Sequence, residues 1–188
     1  YIWKSTDSGA TWTEVTSAGR NFYYIASSSD GTSLAAIGLN SGIYHSTDSG
    51  STWTRVFGVP TTWSGIIISA DGTKIIAFGI WQGIYSNPNP TYSEDDWNWF
   101  GVQLENLASI VSSDNNTELA AVIKNGNIWT STNSGATWTE DTSVGSTKTW
   151  QSITSSSDGS KLAAVVYEGN IWTSTNSGAT WTEDTSVG

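Results

Sequence analysis

Six carboxylates are the first candidates for chemistry: the run Glu94, Asp95 and Asp96, then Glu105, Glu118 and Glu168. Hydrolysis of a glycosidic bond needs a carboxylic acid and a carboxylate placed across one bond, and nothing in the spacing brings any pair of these to that distance. The run at 94–96 reads as a solvated acidic loop. His45 is the only histidine, lies beside Tyr44, and has no companion motif for metal or nucleophile chemistry. The chain has no cysteine, which excludes disulfides and thiolate metal sites. No metal site and no cofactor is implied. A second set is aromatic. Phe22, Trp63 and Trp150 each stand eight residues before the aspartate of a turn, with Asn106 at that offset in another unit, while Trp81, Trp97 and Trp99 gather beside the acidic run. Aromatic faces can meet sugar rings or a peptide, so these six aromatics are the candidate ligand-binding residues. Their competing role is packing between sheets.

The elements that position these residues repeat. Ser5, Asp7, Gly9, Thr11 and Trp12 recur as Ser46, Asp48, Gly50, Thr52 and Trp53. They recur again as Ser131, Asn133, Gly135, Thr137 and Trp138, then as Ser174, Asn176, Gly178, Thr180 and Trp181. A degraded copy runs from Ser86 to Trp97 through Pro88, Asn89 and Pro90, and residues 128–145 and 171–188 are identical, which indicates duplication. In each box, the Asp or Asn side chain can accept N–H bonds from its own turn, the glycine supplies positive φ, and the tryptophan reads as a large buried anchor. Asparagine serves such a turn but weakens a cation site, so the box reads as turn chemistry and not calcium binding.

Between boxes stand Asp30-Gly31, Asp71-Gly72, Asp114-Asn115 and Asp158-Gly159, each a tight-turn signal followed by an apolar or alternating run. No segment holds a 3.6-residue apolar period for three turns. The fold class is therefore all-β, with four short strands per unit, A to D. Such a sheet has two apolar faces and cannot bury both alone, and repetition at 40 to 45 residues is the signature of a propeller or propeller-like stack of blades. The expected layout is a partial blade over 1–18 and four units over about 19–59, 60–102, 103–145 and 146–188. The partial blade supplies only strands C and D, so the count is four and a half blades. Open strand edges then call for completion by further repeats of a parent chain, by self-association or by another protein.

Ser-x-Asp-x-Gly-x-Thr-Trp, as in Ser5–Trp12 and Ser46–Trp53, resembles the Asp-box or BNR repeat of sialidases, sortilin-type receptors, some glycoside hydrolases and a photosystem assembly factor. That resemblance implies a β-propeller with the box between the third and fourth strands of a blade, at the periphery and away from the axial site. It also raises sialidase chemistry, for which the family uses an arginine triad with a tyrosine–glutamate pair and an aspartate. This chain has only Arg20 and Arg55, too few for the triad, and the reading is set against an enzyme.

A net charge of −10 repels nucleic acid and anionic membranes, and no apolar run is long enough for a spanning helix. The sequon Asn115-Asn116-Thr117 makes Asn115 a candidate glycosylation site. With the Ser/Thr/Asn/Gly-rich surface, it points to an extracellular or cell-surface location. The expected role is a structural or adhesive module acting through protein association, with a carbohydrate-binding propeller lectin or a fragment of a glycoside hydrolase as the alternatives.

Overall fold

The computed structural model describes residues 1–16, 21–39, 42–57, 63–79, 83–87, 97–99 and 106–187. Every sheet is antiparallel. The first is a two-stranded ribbon of β1 (Trp3–Lys4) and β2 (Thr13–Glu14). The second holds β3 (Phe22–Ser27), β4 (Leu34–Gly38), β5 (Gly42–Ser46) and β6 (Thr54–Phe57) in chain order. The third is built likewise from β7 (Trp63–Ile68), β8 (Ile75–Gly79), β9 (Gly83–Asn87) and β10 (Asn98–Trp99). The fourth runs through β11 (Leu107–Ser112), β12 (Leu119–Gly126), β13 (Ile128–Ser131) and β14 (Thr139–Asp141), and the fifth through β15 (Lys148–Ser155), β16 (Leu162–Val166), β17 (Ile171–Ser174) and β18 (Thr182–Asp184). These last two are continuous, because the end of β12 also pairs with the start of β15.

Meandering connectivity of this kind lets each sheet form from local hairpins, but burial comes from stacking. Among the described residues four apolar cores lie between successive sheets. Ile2 and Ala36, with Phe22 and Trp53 against them, form the first; Ile37 and Ile43 meet Trp63, Ile66 and Ala77 in the second. Ile76, Phe78 and Ile84 meet Leu107 and Ile110 in the third, and Val122 and Ile128 meet Trp150, Ile153 and Trp172 in the fourth. The stack has one direction. The box tryptophans Trp53, Trp97, Trp138 and Trp181 all pack into the core on the side of the preceding sheet. Among the described residues no sheet covers Trp12, which is 59% exposed; this corrects its expected role as a buried anchor.

A hydrogen-bond ladder at one rim ties the sheets in the same direction. Ser29 N–H donates to the Ala70 carbonyl (2.9 Å), Ala70 N–H to that of Asp114 (2.7 Å), and Asp114 N–H to that of Ser157 (2.7 Å). The ladder shifts the expected register of the third turn by one residue. Asp114 is the equivalent of Ala70, so Asn115 takes the turn position of Asp71, and Asn116 takes that of Gly72 with φ +55°. Hydrogen bonds from Ser113 Oγ and Thr117 N–H to Asn115 Oδ1 match those that Ser69 and Thr73 make to Asp71. Leu107, not Asn106, is then the equivalent of Trp63. A similar shift falls on the degraded box: Asn87 pairs with Ile75 as Ser46 pairs with Leu34, so Asn87 and not Ser86 holds the box-serine position.

Candidate functional site

The box turns are closed by their own side chains. Asp48 Oδ1 accepts Thr52 N–H (2.8 Å), its Oδ2 accepts Thr52 Oγ1–H (2.7 Å), and Gly50 N–H donates to Ser46 Oγ (2.9 Å). Asn133 keeps the first bond, accepting Thr137 N–H at 2.9 Å, and reverses the second, donating from Nδ2 to Thr137 Oγ1. Asn176 and Thr180 do the same. Two residues of each box are left-handed: Ser49 at φ +54° precedes Gly50 at +83°, and Ser8, Ser134 and Ser177 precede Gly9, Gly135 and Gly178 in the same way. The serine is a conformational demand that the sequence did not signal. Donated hydrogen bonds hold the Asp7, Asp48 and Asp158 carboxyls at about 2, with the largest effects coming from the Thr11 hydroxyl, the Thr52 N–H and the Ser156 hydroxyl respectively.

The aromatic candidates divide. Trp150 is fully buried, its Nε1 donating to the Gly126 carbonyl (3.1 Å) and its ring edge-on to Trp172, and Trp63 is 4% exposed. Both face the preceding sheet, so their rings are closed to a ligand, which corrects the expectation that they line an open site. Trp97 is half-buried and donates from Nε1 to the Val56 carbonyl (3.0 Å), while Trp99 is exposed on β10. Trp81 lies outside the described residues, as do Arg20, Pro88, Asn89, Pro90, Glu94, Asp95, Asp96 and Glu105. Glu118 lies in the turn before β12 and Glu168 in the turn after β16, so they occupy opposite rims of neighbouring sheets.

Phe22 is the candidate that reaches an open surface. It packs edge-on to Tyr44 and against Trp53, and it also lines a cleft of about 240 Å³ with Tyr1, Ile2, Trp3, Tyr23, Tyr24 and Ile25. A β-bulge at the start of β3 places two adjacent tyrosines here. Their rings meet edge to face at 5.2 Å, and the Tyr23 hydroxyl donates to the Trp63 carbonyl (3.0 Å), which fixes the pair. Burial holds the Tyr23 hydroxyl above its ordinary pKa of 10. At the equivalent positions the first strands of the other three four-stranded sheets carry Ser64 and Gly65, Ala108 and Ser109, and Gln151 and Ser152. That contrast was present in the sequence as the Tyr23-Tyr24 pair, and aligning the repeats strand by strand would have exposed it.

His45 is buried between the second and third sheets. Its Nε2 is 2.7 Å from Ser33 Oγ, which also donates to the Gly72 carbonyl across the interface. Burial lowers its pKa from 6.5 to about 4. Protonation is therefore resisted in the folded chain and free in the unfolded one. The contribution of His45 to stability is full above pH 6.5 and is lost as the pH falls from there to about 4. The aspartate turns add a separate loss below about pH 4 as their depressed carboxyls are protonated. Urea midpoints measured against pH should show both windows in the native chain and only the lower one in His45→Gln.

No family model and no curated protein matches the chain. Solved structures do. The chain aligns with the GH74 enzyme of Niastella koreensis at a TM-score of 0.65 and 20% identity, over 86% of this chain and 24% of that one. It aligns with the GH74 xyloglucanase of Xanthomonas campestris at 0.65 and 14%, over 88% and 30% of the two chains. With YCF48 bound to a D1 peptide the TM-score is 0.72 and the identity 19%, over 98% and 61%. The chain thus spans from about a quarter to under two thirds of the length of these proteins. Two arginines and no converging carboxylate pair in the sequence speak against an enzyme. That expectation is overturned, because the architecture matched over most of the chain is one on which two GH74 enzymes are built. Among the described residues no helix is long and apolar enough to cross a membrane. The chain is an all-β, propeller-like stack of antiparallel sheets, related in fold to the GH74 and YCF48 propellers.

Proposed function

We propose that this chain is part of an Asp-box propeller that binds neutral carbohydrate outside the cell, through the aromatic cleft at the start of β3. The observation that carries the reading is the Tyr23–Tyr24 pair, exposed and held in place on β3, whose bulge departs from the small and polar residues found at this place in β7, β11 and β15. Tyrosine presents an apolar face to a pyranose ring and a hydroxyl to its edge. The net charge of −10 favours a neutral glycan over an acidic one. The fold shared with a xyloglucanase supports the same substrate class, and a larger hydrolase is one parent in which the cleft would hold substrate. The self-closed box turns support the Asp-box assignment, and the exposed Asn115 with Thr117 supports an extracellular setting.

Isothermal titration with a xyloglucan oligosaccharide tests the reading. Saturable binding is expected, weakened at least tenfold by Tyr24→Ala and within about threefold of native in Tyr24→Phe, since the ring supplies the stacking surface. Absence of binding, or binding untouched by Tyr24→Ala, would remove the cleft from the account.

One observation favours association instead. Ile25 is 52% exposed, whereas its equivalents Ile66, Ile110 and Ile153 are 7%, 4% and 4% exposed beneath the preceding sheet. The two-stranded first sheet leaves that cover unmade, so strands from another chain or another part of a parent chain would fill the cleft by edge addition. YCF48, which shares the fold, is seen bound to a peptide.

A further inference from the structure

The interface between the third and fourth sheets contains a cavity of about 140 Å³ lined by Lys74, Ile76, Ser86, Asn87, Asn116 and Ser134. The corresponding gap between the fourth and fifth sheets, lined by Glu118, Ala120, Gly159 and Ser177 at the matching positions, is only about 10 Å³. The two gaps differ at the turn. Gly72 and Gly159 press so closely on the preceding sheet that a Cβ would lie 2.5 Å from the Ser33 Cβ and 2.6 Å from the Glu118 Cβ. Asn116 stands at that same turn position with its whole side chain buried, and the larger cavity lies beside it.

The wall is polar. Asn116 is fully buried; its Nδ2 donates to the Lys74 carbonyl (3.3 Å), and its Oδ1 has no hydrogen-bond partner among the described residues. Asn87, also fully buried, replaces the serine found at this place in the other boxes and adds a second amide to the wall. With no donor for it among the described residues, this carbonyl oxygen faces a cavity large enough to admit one from a small molecule. The volume corresponds to roughly five waters at liquid density.

We infer that this cavity is a binding site for one small neutral polyol. An anion is disfavoured because the open group is an acceptor, and a cation because Lys74 is the one charged group in the lining and no carboxylate is among the lining residues. A hydroxyl satisfies Asn116 Oδ1 as donor and can accept from an amide or serine hydroxyl in the same wall. The site is separate from the β3 cleft and does not depend on it.

Erythritol titrated into the full chain, followed by the side-chain amide resonances of Asn116 and Asn87, tests the inference. The expected result is a saturating shift with a millimolar midpoint, lost in Asn116→Gly. That variant should fold, since glycine is the residue at the three equivalent turns. Shifts that drift linearly without saturation, or that are the same in Asn116→Gly, would overturn it. So would long-lived cavity waters that persist unchanged at high erythritol, which would make the cavity a hydration site only.

Discussion

Replacing Gly72 with alanine should destabilise the chain by about 3 kcal/mol, while the same change at Gly31 should cost about 1 kcal/mol. The two glycines occupy the same turn position with nearly the same backbone, φ +72° and +70°, so both variants bear the cost of a side chain in the left-handed region. Only Gly72 is pressed against another sheet, and its new Cβ would fall inside the contact distance of Ser33, whereas a Cβ on Gly31 meets nothing within 4 Å. The difference isolates the stacking of sheets from the conformation of the turn. Urea denaturation of the two variants beside the native chain measures it, and equal losses would mean that the rim contact between sheets does not form.

Trp150→Ala should be the most damaging single truncation, with a loss of about 3–5 kcal/mol. It empties a fully buried site in the last interface, removes the ring partner of Trp172, and leaves the Gly126 carbonyl without its donor. Trp12→Ala is the control. Trp12 is one of the box tryptophans but lies mostly in solvent, and its Nε1 bonds only to Gly9 of its own turn (3.1 Å). Its loss should stay within about 1 kcal/mol. Thermal unfolding of both variants would reveal whether tryptophans contribute by position in the stack or by membership of the repeat.

The all-β class, the four strands per sheet and the face-to-face stacking follow from local signals: turn residues at fixed offsets, short β-branched runs, and sheets with two apolar faces. Register was less legible where two adjacent residues were equally suited to a turn. Asp114-Asn115 reads as well as Asn115-Asn116, and only the left-handed Asn116 and the place of Asp114 in the rim ladder decide between them. Ser86 and Asn87 pose the same ambiguity, resolved by the pairing of Asn87 with Ile75. The fate of the aromatic faces could not be read from offsets at all. Phe22, Trp63 and Trp150 share one position, yet whether a ring meets solvent depends on the sheet in front of it, which is long-range information. The cleft and the cavity at Asn116 were both marked by departures from the repeat, Tyr23-Tyr24 in one case and asparagine for glycine in the other. Repeats hide function in such exceptions, because the shared residues are occupied in building the framework.

Whether the β3 cleft receives a glycan is tested most directly by hydrogen exchange with and without saturating xyloglucan oligosaccharide. Slowed exchange centred on residues 1–3 and 22–25, with the distant β16–β18 region unchanged, is the predicted result; a bound glycan that leaves 22–25 unprotected, or no protection anywhere, would contradict it.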